Sequence, residues 1–227
     1  MSLVELENGA KELAFSSSQY VQEAVQNVGS YLKEQDLKLP AQAGAPFSPN
    51  YRPEIDETAE LEPVDAEYYQ SLISILWWKV ELGQVNICTE VSLLSSCLAL
   101  TRYGHHEQVL HVFDYLKKYH NTEMVLNPSY PEIDQNQFER QDWYHTVFGD
   151  TLTEDLQPNL PYPRGLGFVL STYVNSDHAG NTITRRSRTG FLVYCNAHLI
   201  YWMSKKQNSI ETSSFGSTFC AMKVATK

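Results

Sequence analysis

Between Gly165 and Met203 the chain offers three apolar runs separated by short polar breaks, a pattern that leaves few options for its C-terminal part. The first run, Gly165-Leu-Gly-Phe-Val-Leu-Ser-Thr-Tyr-Val174, gives way to the polar loop Asn175-Ser-Asp-His-Ala-Gly180. The second is Thr189-Gly-Phe-Leu-Val-Tyr-Cys195. After Asn196-Ala-His198 comes the third, Leu199-Ile-Tyr-Trp-Met203. Runs of this length, rich in Val, Ile, Tyr, Phe and Trp and bounded by Gly or Asn, read as strands. Short connections favour antiparallel neighbours, so a three-stranded meander is expected. A polar connector, Ser204 to Glu211, leads to a predicted helix that starts near Thr212 or Ser213. Phe215, Phe219 and Met222 share one face of it, at the i, i+4, i+7 spacing.

Upstream the period changes. Residues 1–15 carry no strong pattern. Ser16-Ser-Ser18 is a plausible helix cap, and Val21, Ala24, Val25, Val28 and Leu32 trace one helical face to about Lys33. Residues 38–63 hold Pro40, Pro46, Pro49, Pro53 and Pro63 with many acids and read as an extended connector. Residues 65–120 read as three helices. The first starts at Asp65, aligns Tyr69, Leu72, Ile73, Leu76 and Val80, and stops at Gly83. The second spans about Ile87 to Leu100 with Val91, Leu94 and Leu98 inward. The third begins near His105, aligns Val109, Val112, Phe113 and Leu116, and carries Lys117 and Lys118 in its last turn, where cations suit the helix dipole. Trp77 and Trp78 are adjacent and point in different directions, so one of them is expected to pack between helices. Glu123-Met-Val-Leu126 is a short strand candidate. Residues 127–163 are polar and proline-containing, with Trp143 and Phe148 as anchors of a local turn and a boundary near Gln157 to Arg164. The fold class is α+β. The division is an N-terminal helix and connector (1–64), a three-helix region (65–122), a connection (123–163), and a sheet-plus-helix region (164–227).

Charge divides the chain at the same place. The net charge of −10 combines 17 basic with 27 acidic residues. From Arg164 onward there are 8 basic residues against 2 acids, +6, which leaves −16 for the rest. Arg185, Arg186 and Arg188 sit just before one predicted strand, and Lys205 and Lys206 just after another. In a meander the two groups fall at one end of the sheet, where they either contact phosphates or serve as ordinary solvated charges. Cys88, Cys97, Cys195 and Cys220 form no Cys-x-x-Cys pair, and a reducing compartment fits them. The acidic N-terminus lacks the order of a signal peptide, and no apolar run has the length of a membrane span, so an intracellular protein is expected. There is no Gly-rich phosphate loop, no Gly-x-Ser-x-Gly elbow and no His-Glu-x-x-His motif. His178 and His198 have no partner at metal spacing, so no protein-held metal is expected; no small-molecule substrate is expected either.

Tyr173-Val-Asn-Ser-Asp-His-Ala-Gly180, Arg186-Ser-Arg-Thr-Gly190, Trp202-Met-Ser-Lys-Lys-Gln207 and Glu211-Thr-Ser-Ser-Phe-Gly-Ser217 resemble the ribonuclease H segment of copia-type LTR retrotransposon polyproteins. Tyr69-Gln-Ser-Leu-Ile73, Val80-Glu-Leu-Gly83, Val91-Ser-Leu-Leu-Ser95 and Tyr115-Leu-Lys-Lys118 resemble the region after the palm in reverse transcriptases of the same family. The resemblance covers roughly residues 16–227. It implies a helical, thumb-like and connection-like region followed by a partial ribonuclease H-like sheet of three antiparallel strands plus one helix.

In that family clustered carboxylates hold two Mg²⁺ ions that activate water and stabilise the leaving oxygen. The resemblance implies an Asp where this chain has Asn175 and a Glu where it has Thr218, and it puts the later acids beyond Lys227. Asp177 is the surviving acid, read as the second of its motif. In an Asp-His-Ala-Gly turn it also reads as a turn-capping residue. The Asp-Asp pair of the polymerase occurs nowhere in the chain. The expectation is therefore a remnant of the polyprotein without polymerase or nuclease activity and with no cofactor, Mg²⁺ being implied only for an intact site. Two alternatives stay open. One is non-catalytic binding of an RNA–DNA hybrid or other nucleic acid through Arg185, Arg186, Arg188, Lys205 and Lys206. The other is residual hybrid cleavage.

Overall fold

The computed structural model of the protein describes residues 1–6, 9–40, 43–134 and 167–226. The expected turn around Trp143 and Phe148 and the boundary near Gln157 to Arg164 lie outside the described residues.

The architecture is α+β. Strands β1 (Ser2–Glu5) and β2 (Lys11–Ser16) form a hairpin, followed by α1 (Ser18–Glu34), α2 (Pro63–Glu81), α3 (Cys88–Ser95) and α4 (Tyr103–Lys118). Strand β3 (Glu123–Val125) then returns to pair with β2. The C-terminal part holds β4 (Leu170–Ser176), β5 (Arg188–Cys195), β6 (His198–Lys206) and α5 (Ser214–Ala225). Among the described residues this makes five helices and two three-stranded antiparallel sheets, ordered β1-β2-β3 and β4-β5-β6.

The main core lies between the first four helices. α1 contributes Val21, Ala24, Val25, Val28 and Leu32, the face that its 3.6-residue period foretells. α2 contributes Tyr69, Leu72, Ile73, Leu76 and Val80, and α4 Val109, Val112, Phe113 and Leu116. The core thus crosses the expected division at residue 64. Tyr69 donates its hydroxyl to the Leu94 carbonyl at 2.9 Å, so its one polar atom is satisfied inside the core. α2 ends before Gly83, whose φ of +102° is cheap only for glycine. Trp77 packs against the core, while Trp78 is exposed.

Lys79 brings a charge into this core. Lys79 is fully buried, and its Nζ donates to the Tyr20 carbonyl at 2.7 Å over the Tyr20 ring. Burial pulls its pKa down to about 8.

Three local readings change. The β1–β2 hairpin was not visible as a pattern because its outward residues are also apolar. Leu3, Leu13 and Phe15 are exposed, and the inward Ala14 is small, so the alternation that signals a half-buried strand is erased. α3 is shorter than the expected helix to Leu100, and Leu98 is exposed rather than inward. The Ser95 and Ser96 hydroxyls donate to the Ser92 and Leu93 carbonyls at 3.1 and 2.6 Å, offering the backbone an alternative to another helical turn. Finally, the proline-rich connector has little regular structure, yet it is tied down along α4. Asp114 accepts from the Ala43 N–H at 2.8 Å, Gln108 exchanges bonds with Ser48, and the His105 ring bonds the Pro53 carbonyl. These bonds account for the buried polar side chains of α4.

The β4-β5-β6 sheet is covered on one face by α5 and leans on α3 with the other. Trp202 packs against the helical core from that second face. α5 turns Ser217 and Ala221 inward and leaves the apolar trio Phe215, Phe219 and Met222 exposed.

Candidate functional site

β4 carries the chain to Asn175 and Ser176, whose partners on β5 are Gly190 and Thr189. Side chains alternate along a strand, so these two neighbours face opposite ways. Ser176 faces α5: its Oγ is 3.3 Å from Ser217 Oγ and 3.2 Å from Thr218 Oγ1. Thr189 lies on the same face, joined by Gln207, whose Nε2 donates to Thr189 Oγ1 at 3.1 Å and to the Ser217 carbonyl at 2.8 Å. The helix is aimed at this spot by its cap, since Ser213 Oγ accepts from the Gly216 N–H. Asn175 instead lines a cavity of about 330 Å³ on the other face, together with Gly190, Val85, Cys88 and Thr89.

The sheet therefore separates the two positions at which the family resemblance implies metal-binding acids, bringing Thr218 to Ser176 and Asn175 toward α3. One amide oxygen and one hydroxyl on opposite faces do not fit a pair of Mg²⁺ ions, which demand anionic oxygens converging on one point. Among the described residues no group of three or more His, Cys, Asp or Glu side chains converges to hold a metal ion.

Asp177 is occupied by its own turn. Its Oδ1 accepts from the Arg188 backbone N–H at 2.5 Å, and its N–H donates to the Arg188 carbonyl at 3.3 Å. Its Oδ2 sits where a Cβ on Gly180 would stand, only 1.9 Å from that point, so the turn closes around a glycine. The Ser187 hydroxyl completes the turn by accepting from the Ala179 N–H at 3.0 Å. His178 is exposed, and the His198 ring bonds the Val125 carbonyl, tying β6 to β3.

The five basic residues collect at one end of the sheet, because Arg188 pairs with Lys206 and Thr189 with Lys205 across β5 and β6. They do not share one face. Arg188 points toward the helices, where Nη1 donates to Ser92 Oγ at 2.6 Å and that hydroxyl donates to the Ser204 carbonyl at 2.7 Å. Burial pulls the Arg188 pKa down, and the nearby Asp177 partly opposes it. Arg186, Arg188 and Lys206 line a cavity shared with Tyr51, Arg52 and Glu54 of the connector. Lys205 is on the α5 side, beside Lys223 and Cys220. Arg185 is exposed at φ +56°.

Sequence reasoning missed Arg52 and Ser92. Arg52 donates to the Gly180 carbonyl at 3.4 Å across 128 positions, and no periodic pattern links residues so far apart. Ser92 reads as a polar interruption of an apolar helix, which gives no sign of an arginine partner.

No family model matches the chain, and no solved structure matches it. It is 36% identical over 68 residues to Secreted RxLR effector protein 161 of Plasmopara viticola, an alignment that covers 30% of this chain and 48% of that protein. The chain thus spans about half the length of the curated relative it matches.

Proposed function

We propose that the protein is a non-catalytic remnant of a copia-type retrotransposon polyprotein, comprising the end of the reverse transcriptase and the start of ribonuclease H. The ordered motifs from Tyr69 to Ser217 support the family reading, as does the succession of three antiparallel strands and a helix. The loss of activity is carried by one observation: Asn175 and Thr218 are neutral and face opposite sides of the sheet, while Asp177 is held by the Arg188 N–H. No hydrolytic step is assigned to these residues, because two-metal hydrolysis needs carboxylates around a shared pair of ions. The test is Mg²⁺-dependent cleavage of a labelled RNA–DNA hybrid by the purified chain.

A second reading is favoured by the pairing of Arg188 with Lys206, which gathers basic residues at one sheet end. There the chain binds nucleic acid without cutting it. Binding to a hybrid duplex is then expected to weaken as salt rises and to be lost when Arg185, Arg186, Arg188, Lys205 and Lys206 are neutralised. Duplex binding that ignores both salt and these substitutions would end this reading.

A further inference from the structure

The turn between β4 and β5 meets the connector and α3 around a cavity of about 290 Å³. Four cationic side chains line it: Arg52, Arg186, Arg188 and Lys206. Two acids, Glu54 and Asp177, line it as well, and both are already engaged. Glu54 Oε1 is 3.5 Å from Arg52 Nη1 and accepts from the Thr182 hydroxyl at 3.3 Å. Asp177 accepts from the Arg188 backbone N–H. Among the described residues no carboxylate oxygen lies within 4 Å of a side-chain nitrogen of Arg186, Arg188 or Lys206.

We propose that this cavity binds a phosphate group, gripped by Arg52, Arg186, Arg188 and Lys206. Like charges brought together at a partly enclosed surface repel one another unless an anion sits among them. Four cations against two acids leave a net charge of +2 around the cavity, which matches a dianionic phosphate. Three of the four are guanidinium groups, whose planar forks meet phosphate oxygens in pairs. Arg188 is fixed in place by Ser92, so one fork is oriented before any ligand arrives. Arg52 comes from the connector and Arg186 from the β4–β5 turn, two segments that already meet where Arg52 Nη1 donates to the Gly180 carbonyl, so a bound phosphate would hold both.

The site rests on the second reading above for Arg186, Arg188 and Lys206, and adds Arg52 while leaving out Arg185 and Lys205. The same group comes either from free phosphate or from a nucleic-acid backbone, and the experiment separates the two. Inorganic phosphate is titrated into the full chain at fixed ionic strength, with binding followed by ³¹P line width and by the unfolding midpoint. The expected result is a saturable response that weakens at least fivefold in Arg52→Gln and in Lys206→Gln and is unchanged in Arg185→Gln. Should either variant unfold early, Arg186→Gln read by ³¹P line width below its midpoint serves in its place. An oligothymidine strand that displaces phosphate assigns the bound group to a nucleic-acid backbone. Phosphate binding without such displacement assigns it to the free ion and counts against the nucleic-acid reading, with the site intact. A response that follows ionic strength alone, or one equally strong in Arg52→Gln and Lys206→Gln, overturns the proposal.

Discussion

Arg188 Nη1 reaches Ser92 Oγ at 2.6 Å, and through that hydroxyl the C-terminal sheet is fastened to α3. The contact has three members, since Ser92 also donates to the Ser204 carbonyl of β6 at 2.7 Å. Ser92→Ala leaves a partly buried guanidinium N–H and a backbone carbonyl without this partner. The expected loss is about 1–3 kcal/mol of stability, the cost of orphaned buried polar groups. Amide exchange should rise first in β6 and the Arg188 end of β5. Unchanged protection there would show that the sheet does not depend on this contact.

Lys79 gives the fold a pH dependence with a definite sign. Its folded pKa is about 8, below the ordinary lysine value of 10.5, so in this interval the unfolded chain holds more protons. Stability from this group therefore rises with pH between about 8 and 10.5 and is lowest below 8. Cys88, Cys97 and Tyr68 oppose it at the alkaline end. Burial raises all three, so the stability they contribute is lost as pH climbs past their unfolded values. The useful quantity is the difference between the native chain and Lys79→Met in urea unfolding at pH 7, 8, 9 and 10. Lys79→Met is expected to be the more stable at pH 7, with an advantage that shrinks toward pH 10. A constant difference would mean that Lys79 does not titrate in this range.

At the β4–β5 turn, Gly180 and Asp177 make a coupled pair. A Cβ at position 180 would overlap the Asp177 carboxylate, so Gly180→Ala must push that carboxylate off the Arg188 N–H. Overpacking of this kind costs about 1–3 kcal/mol. In an Asp177→Ala background the obstacle is gone, and adding Gly180→Ala should cost much less. A double-mutant cycle of thermal unfolding checks this, and additive effects would contradict the stated geometry.

The sequence carried the C-terminal meander and helix well, because Val, Tyr, Phe and Trp runs broken at Asn175–Gly180 and Asn196–His198 have no helical alternative. It also carried the core faces of α1, α2 and α4, where large side chains such as Val21, Leu72 and Phe113 recur at helical spacing. What escaped was of two kinds. Exposed apolar residues hid the N-terminal hairpin, as with Leu13 and Phe15 beside the small Ala14. Contacts between distant positions, Arg52 to Gly180 and Arg188 to Ser92, leave no local trace. The candidate site shows the same limit. That Asn175 and Thr218 are neutral is legible in the residues themselves, but that they face opposite ways depends on the register of β4 against β5 and on where α5 lies.

That register has a direct consequence. Asn175→Asp combined with Thr218→Glu supplies the two charges that the family resemblance implies, yet on opposite sides of the sheet. The double variant is expected to stay inactive toward an RNA–DNA hybrid in Mg²⁺. A gain of cleavage would mean that the two side chains share one site.

The absence of nuclease activity is tested most directly on the native chain itself, incubated with a labelled RNA–DNA hybrid and Mg²⁺ at a protein excess. No cleavage above the protein-free control is expected. Robust Mg²⁺-dependent cleavage that disappears in Asp177→Ala would contradict this expectation.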